Sequence, residues 1–113
     1  MGLFDIFSRD GKANPDEISY DALVAALASG SVALVDVREP AEFAAGHVPG
    51  AVSQPLSRFE ASNLPKDTPV ILMCKAGGRS AQALAKARAA GRSDVRHYKG
   101  GFMGWESNGG KIV

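Results

Sequence analysis

The sequence predicts an α/β domain in which helices cover both faces of a mostly parallel sheet. Two short apolar runs with β-branched residues, 32–37 and 69–73, are typical of strands that are buried on both faces. A helical pattern over 80–90 follows the second run, and a last short strand is predicted over 95–98. A strand–helix–strand order implies a right-handed crossover between parallel strands, so these segments indicate the fold class.

The other elements are predicted from residues that typically begin or end a helix or strand. Ser19 is a suitable N-cap and Gly30 a suitable stop for a helix over 20–29, and Ile18 is predicted to end a short strand before it. Pro40 is tolerated at a helix start. The remaining predictions are a short helix over 40–45, an extended piece over 51–54 and a final turn or helix over 101–105.

Length, charge and cysteine content exclude several classes of protein. The 113 residues suit one domain, with a tail or linker over 1–15 and the domain over 16–113. Thirteen Lys and Arg against 12 Asp and Glu leave a formal charge of +1, which does not favour nucleic acid binding. No apolar run is long enough to span a membrane. One cysteine and two histidines form neither an intramolecular disulfide nor a Cys-rich zinc site, so we expect no metal and a reducing compartment. We also expect no cofactor, and because no targeting signal is recognised we expect a cytoplasmic location.

The segment between the strand over 69–73 and the helix that follows it carries the candidate chemistry. Cys74 comes directly after the strand, at the edge of the sheet where ligands bind in open α/β folds. Glycines, unpaired amides at a helix start and two cations all favour the thiolate form of this residue, so we expect a lowered pKa and a nucleophilic sulfur. The predicted binding loop around it consists of Lys75, Ala76, Gly77, Gly78, Arg79 and Ser80. A buried, inert cysteine is the alternative.

For three polar residues outside the loop the sequence allows either a functional or a purely structural role. Asp36 and Arg38 end a predicted strand on the same side of the sheet, where they would brace the cysteine loop or form a local ion pair with Glu39 or Glu42. We expect His47 to be a structural histidine bonded to the backbone rather than a general base.

The strand and core patterns give expectations for three more residues. His97 lies within a strand pattern and is predicted to lie on the surface. Trp105 and Phe102 are expected to be core anchors beneath the loop, with a substrate wall as the alternative.

Three segments together resemble the rhodanese sulfurtransferase family. The segment Cys74-Lys-Ala-Gly-Gly-Arg-Ser80 is similar to its active-site loop, Asp36-Val-Arg-Glu-Pro-Ala-Glu-Phe-Ala-Ala-Gly-His-Val-Pro-Gly-Ala51 to its upstream signature, and Gly100-Gly-Phe-Met-Gly-Trp105 to its closing motif. They occur in the family's order, and the resemblance covers about 16–107. It implies a five-stranded parallel sheet flanked by helices.

The resemblance also implies a ping-pong reaction. The Cys74 thiolate would take the outer sulfur of a small anionic donor such as thiosulfate, and cyanide, a small thiol or a protein thiol would then remove it. One alternative is a binding module or sulfur carrier without turnover. Another is a Cys-based phosphatase or arsenate reductase, although rhodanese-like phosphatases have one more residue between the cysteine and the arginine. The oligomeric state is left open.

Overall fold

The computed structural model describes residues 14–113, so the predicted tail over 1–15 lies almost wholly outside the described residues. Within them the strands are β1 (Ala33–Asp36), β2 (Val52–Ser53), β3 (Val70–Met73) and β4 (Val95–His97). The helices are α1 (Tyr20–Ser29), α2 (Pro40–Ala45), α3 (Gly78–Ala89) and α4 (Gly101–Ser107), and two short 3-10 helices cover Leu56–Arg58 and Ala61–Asn63. Apart from the 3-10 helices, which were not predicted, these elements follow the predicted order.

The helix predictions hold closely. Helix α1 begins after Ser19, whose hydroxyl accepts a hydrogen bond from the Ala22 amide, and ends at Gly30, which has a left-handed backbone. The predicted helix over 80–90 begins two residues earlier, at Gly78. No helix in the described part of the chain is long and apolar enough to cross a membrane.

The sheet is parallel throughout, in the order β2-β1-β3-β4. The family resemblance implies five strands, whereas the sheet has four among residues 14–113. The segment before α1 forms only a bridge from Glu17 to His97, where the Ile18 amide donates to the His97 carbonyl over 3.1 Å. Because Ser19 then caps α1, the chain leaves the sheet after this single bridge.

Two apolar layers cover the sheet, one on each face. Leu34, Ile71 and Met73 pack with Leu23 of α1 and Trp105 of α4. On the opposite face, alternate strand residues pack against α3, in a cluster containing Val35, Val37, Val70, Leu72, Cys74, Ala83, Leu84, Ala87 and Val95. Successive side chains of a strand point to opposite faces, so Cys74 continues the Val70–Leu72 series towards α3.

The strand order places a crevice at the ends of β1 and β3. The chain moves from β1 to β2 on one side, then returns to place β3 and β4 on the other side. The two strand ends are joined where the Val37 amide donates to the Met73 carbonyl over 2.8 Å. Ligands of open α/β sheets bind where the strand order reverses in this way, and the predicted loop begins there.

Candidate active site

Cys74 lies at the junction between β3 and α3, beneath the loop that joins them. The residue is 1% exposed and contacts apolar side chains on the sheet side. Its sulfur, however, faces polar groups of the loop: the Gly77 amide donates to Sγ over 3.1 Å, and Ser80 Oγ lies 3.6 Å from Sγ. The sulfur is therefore buried between apolar side chains on one side and polar groups of the loop on the other.

The loop lowers the pKa of the Cys74 thiol despite its burial. Burial by itself raises the pKa, because it removes water from the charged form. The Ser80 hydroxyl and the backbone amides of Ser80, Gly77 and Ala76 act in the opposite direction and outweigh burial. The amides lie at the N-terminal end of α3, where the helix dipole also favours negative charge. Dipoles of the backbone and of one hydroxyl thus favour the thiolate.

The two loop glycines differ in what they contribute. Gly77 has a φ of +101°, and a Cβ built there would lie 2.7 Å from the Lys99 carbonyl oxygen. Gly78 is the first residue of α3, and a Cβ there would meet no atom within 4 Å. Only Gly77 is therefore required by the backbone path of the loop, because a side chain there would be strained and would collide with the neighbouring strand end.

Helix α4 holds the other side of the loop through backbone hydrogen bonds. The Phe102 amide donates to the Cys74 carbonyl over 2.7 Å, and the Met103 amide donates to the Lys75 carbonyl over 3.1 Å. At Gly101 the φ is +66°, and a Cβ built there would collide with the Lys75 carbonyl oxygen. The start of α4 and the cysteine loop are therefore in direct backbone contact, and two loop carbonyls accept hydrogen bonds from α4.

The two cations of the loop have different surroundings. Arg79 pairs with Glu42 of α2 through both terminal nitrogens, over 2.6 and 3.1 Å. This pairing lowers the pKa of Glu42 to about 2, with the Arg79 hydrogen bond as the main cause. Lys75 is exposed and forms no ion pair within residues 14–113. Much of the Arg79 charge is therefore balanced by Glu42, whereas Lys75 is free to meet an incoming anion.

Asp36 and Arg38 pair with each other at the end of β1. Both residues are buried, and Arg38 Nη2 donates to Asp36 Oδ2 over 2.7 Å. The guanidinium also donates to the Gly46 carbonyl over 2.9 Å and lies 4.1 Å from the centre of the Phe102 ring. Neither of the predicted partners, the cysteine loop or a carboxylate of Glu39 or Glu42, receives these hydrogen bonds. Arg38 instead joins the end of α2 to α4, and these two helices contact the loop.

The two histidines have separate environments. His97 is 5% exposed, so the prediction that it lies on the surface is wrong. Its Nδ1 lies 2.8 Å from Ser80 Oγ. His47 is half-buried and stacks on Phe43, and its Nδ1–H donates to the Phe43 carbonyl over 2.9 Å. His47 thus bonds the backbone, as expected for a structural histidine.

A cleft of about 350 Å³ lies beside the loop, on the α2 and α4 side. Its wall combines polar groups with an apolar surface: Arg38, Glu42, Ala45, Gly46, Lys75, Phe102, Met103, Glu106 and Ile112. Trp105 is buried among core residues on the other side of α4, as predicted for a core anchor, whereas Phe102 is half-buried and lines the cleft. Lys75 connects the cleft to the cysteine loop.

A family model of the rhodanese-like domain matches residues 19–108, which include both strand ends, the cysteine loop and α4. The chain belongs to the rhodanese-like domain family. The resemblance seen in the three sequence segments is therefore confirmed.

Several members of the rhodanese-like family carry names that state an activity. A sulfurtransferase of Allochromatium vinosum is 39% identical over 101 residues, covering 87% of this chain and 94% of that protein. The human thiosulfate:glutathione sulfurtransferase is 33% identical over 109 residues, covering 82% of this chain and 95% of that protein.

Relatives also occur as parts of longer proteins and as solved structures. An uncharacterized Synechocystis protein is 42% identical over 81 residues, and the matched part is 70% of this chain but only 45% of that protein. The crystal structure of a rhodanese-related protein from Thermoplasma volcanium superposes with a TM-score of 0.78 at 26% identity, covering 86% of this chain and 96% of the other.

Sequence reasoning missed two residues that touch the loop. The sequence suggests Glu42 only as a partner of Arg38, and no local pattern links it to Arg79, which lies 37 residues further along the chain. His97 follows Val95 at a spacing of two, which places both side chains on the same face of β4. Since Val95 belongs to the core cluster that faces α3, this spacing was the signal that His97 is buried there.

Proposed function

We propose that the chain is a sulfurtransferase that works through a Cys74 persulfide. The observation that carries the proposal is the contact of Cys74 Sγ with the Gly77 amide and the Ser80 hydroxyl, which holds the pKa of the thiol below its usual value. A thiolate is the form that attacks a sulfur–sulfur bond. The sulfurtransferase names of relatives that match most of this chain support the same reaction class.

The first half-reaction takes one sulfur atom from the donor. The Cys74 thiolate attacks the outer sulfur of thiosulfate, a new sulfur–sulfur bond forms, and the original bond breaks. Its electron pair leaves with sulfite, so no external oxidant or reductant is needed. Because Cys74 is 1% exposed, the donor must bring a terminal sulfur down to the loop, which thiosulfate can do with a single unsubstituted atom.

The second half-reaction returns the enzyme to its thiolate form. The negative charge of the persulfide lies on its outer sulfur, where amides at the start of α3 can donate hydrogen bonds to it. A thiophilic acceptor, either cyanide or a small or protein thiol in its thiolate form, attacks that outer sulfur. The bond to Sγ breaks, and Cys74 leaves as the stabilised thiolate. Because both the nucleophile and the leaving group are the same loop-bound sulfur, no general base is required.

The charged residues around the loop suit a thiosulfate donor better than a phosphate ester. Lys75 is exposed at the rim of the cleft and would attract a doubly negative donor. A Cys-based phosphatase needs the arginine of the loop for its phosphate. Arg79 here gives both terminal nitrogens to Glu42. This pairing weighs against the phosphatase alternative.

Intact mass spectrometry tests the proposal directly. We expect the purified protein to gain the mass of one sulfur atom on incubation with thiosulfate and to lose it when cyanide is added. The Cys74→Ser variant should show no gain, while a Ser57→Ala variant, an exposed serine outside the loop, should behave like the wild type.

The other outcomes would favour other functions. A folded wild-type protein that gains no mass with thiosulfate, polysulfide or a persulfidated thiol would overturn the proposal and leave a binding module. Hydrolysis of a phenyl phosphate at a comparable rate would favour the phosphatase. Cytoplasmic localisation and the domain bounds 16–113 stay predictions.

A further inference from the structure

His97 reaches the cysteine loop from the neighbouring strand. In β4 it lies opposite Leu72 of β3, so its side chain points to the same face as Leu72 and Cys74. This face is covered by α3, whose third residue is Ser80. The His97 Nδ1–Ser80 Oγ distance is 2.8 Å, and Ser80 Oγ lies 3.6 Å from Cys74 Sγ. The sulfur, the hydroxyl and the imidazole thus form a buried series.

The direction of this series depends on a single proton. The Ser80 hydroxyl has one hydrogen and three neighbours that can accept it: Cys74 Sγ, His97 Nδ1 and the Gly77 carbonyl, 3.2 Å away. If Nδ1 lacks a proton, the hydroxyl donates to it or to Gly77. If Nδ1 carries the proton, it donates to Ser80 Oγ, and the hydroxyl is free to turn towards the sulfur.

We propose that His97 is a positioning residue that donates Nδ1–H to Ser80 Oγ and so directs the Ser80 hydroxyl towards the Cys74 thiolate and its persulfide. The inference rests on the proposed function for its role in turnover, but the hydrogen-bond arrangement concerns the free enzyme. His97 acts through Ser80 and does not touch the sulfur.

The groups around His97 are compatible with a neutral imidazole. Burial lowers the pKa of His97, Glu17 and Asp16 oppose this, and Lys99 reinforces it, with the balance below the usual value. At neutral pH the ring therefore carries a single proton, and the proposal places it on Nδ1. On the other side of the series, Arg79 is the cation whose charge interacts with Cys74.

Titration of the Cys74 thiol tests the proposal without any sulfur donor. The rate of alkylation by iodoacetamide is measured against pH in the wild type, His97→Leu, His97→Asn, Ser80→Ala and the Ser80→Ala/His97→Leu double variant. We expect His97→Leu and Ser80→Ala each to raise the thiol pKa by about one unit, which is a tenfold loss of alkylation rate below the pKa. His97→Asn should retain most of the wild-type profile, because its amide can donate from the position of Nδ1.

The double variant and a substitution of the second histidine show whether His97 acts through Ser80 or whether its loss disturbs the structure in general. Because His97 acts through Ser80, the double variant should match Ser80→Ala alone. His47→Leu removes the other histidine of the sequence and should leave the profile unchanged. An unchanged profile in His97→Leu, or additive shifts in the double variant, would overturn the proposal.

A measurement on the unmodified protein covers the case in which His97→Leu does not fold. Histidine ¹⁵N chemical shifts report which ring nitrogen is protonated, and His47→Leu identifies the His97 signals. Protonation at Nδ1 is expected, and a ring protonated only at Nε2 would refute the inference. If the wild type forms a persulfide but His97→Leu leaves the thiol pKa unchanged, only the role of His97 is refuted. If His97→Leu raises the thiol pKa but the wild type forms no persulfide, only the proposed sulfurtransferase function is refuted.

Discussion

Stabilisation of the Cys74 thiolate comes mainly from neutral donors. The main groups that lower its pKa are the Ser80 hydroxyl and amides of the loop. Arg79, which the sequence suggested as a charge for the sulfur, is paired with Glu42. Fixed dipoles suit a site whose charge moves between Sγ and an outer sulfur atom, because several amides can follow the charge while a single cation has one optimum position.

Removing the carboxylate of Glu42 should release the charge of Arg79. The Glu42→Gln variant retains an oxygen for the Glu39 amide, so the capping arrangement of α2 persists. We expect persulfide formation from thiosulfate to accelerate by about three- to tenfold at low ionic strength, because a free cation draws a dianion towards the loop. Stopped-flow kinetics at several salt concentrations measure this.

Glu60→Gln is the matched control for this prediction. Glu60 is exposed, and its substitution removes the same negative charge without freeing an arginine. Its rate should stay within about twofold of the wild type, because Glu60 holds no arginine within residues 14–113 and its own exposed charge is surrounded by solvent. Equal acceleration in both variants would mean that the rate of persulfide formation depends on the net charge of the protein and not on release of Arg79.

At the scale of elements, the position of the loop depends on α4 as much as on α3. The amides of Phe102 and Met103 donate to the carbonyls of Cys74 and Lys75, so both carbonyls are held at the start of α4. The close backbone approach is possible only because Gly101 has no side chain. The closing sequence motif therefore supports the geometry of a loop that lies almost thirty residues earlier in the chain.

Substitution of Gly101 should damage both stability and the site. Gly101→Ala has to place a Cβ against the Lys75 carbonyl and keep a left-handed backbone. We expect a loss of about 3 kcal/mol or more in the free energy of unfolding, from strain of about 1–2 kcal/mol together with steric displacement. Alkylation of Cys74 should slow as well. Urea denaturation and iodoacetamide kinetics give the two readouts.

Gly30→Ala separates backbone strain from the collision. Its φ of +70° is close to the +66° of Gly101, but a Cβ at Gly30 meets nothing within 4 Å. The loss should be about 1–2 kcal/mol with normal Cys74 reactivity. Similar losses in both variants, with normal reactivity in both, would contradict the role given to the contact between α4 and the loop.

At the scale of the whole molecule, the ion pair between Arg79 and Glu42 links stability to pH. The folded state holds the Glu42 pKa at about 2 instead of 4.5, so the unfolded chain takes up the proton first as pH falls. The stabilisation is fully present above pH 4.5 and is lost as pH falls towards 2. Both side chains are about one-third exposed, so solvent screening limits it to about 1 kcal/mol.

Thermal unfolding should therefore show a difference that disappears in acid. At neutral pH the melting temperature of Glu42→Gln should lie about 4 °C below that of the wild type, which corresponds to about 1 kcal/mol in a domain of this size. The two values should converge between pH 4.5 and 2. Glu60→Gln removes an exposed carboxylate that forms no ion pair among residues 14–113, so its melting temperature should show no such pH-dependent difference. A constant gap at all pH values would disprove the linkage.

Much of this protein could be predicted because the signals are local. Apolar runs of strand length, Ser19 and Gly30 at the ends of α1, and a cysteine directly after β3 need only a few neighbouring residues to be recognised. Helix α1 and the position of Cys74 at the strand end follow from them. Among residues 14–113 the sheet has four strands rather than five, because the chain turns into α1 at Ser19 after a single bridge to His97. A local sequence pattern does not rank helix capping against continued strand pairing.

The amino-acid sequence by itself determined the class of fold, the family and the cysteine at the end of a buried strand, since periodicity and motif order lie along the chain. Only the tertiary structure decided the partners of that site: Glu42 on Arg79, His97 behind Ser80 and α4 against the loop carbonyls. These contacts join elements that are distant in sequence. Their distances follow from strand order and register, which bring separate segments to one edge of the sheet.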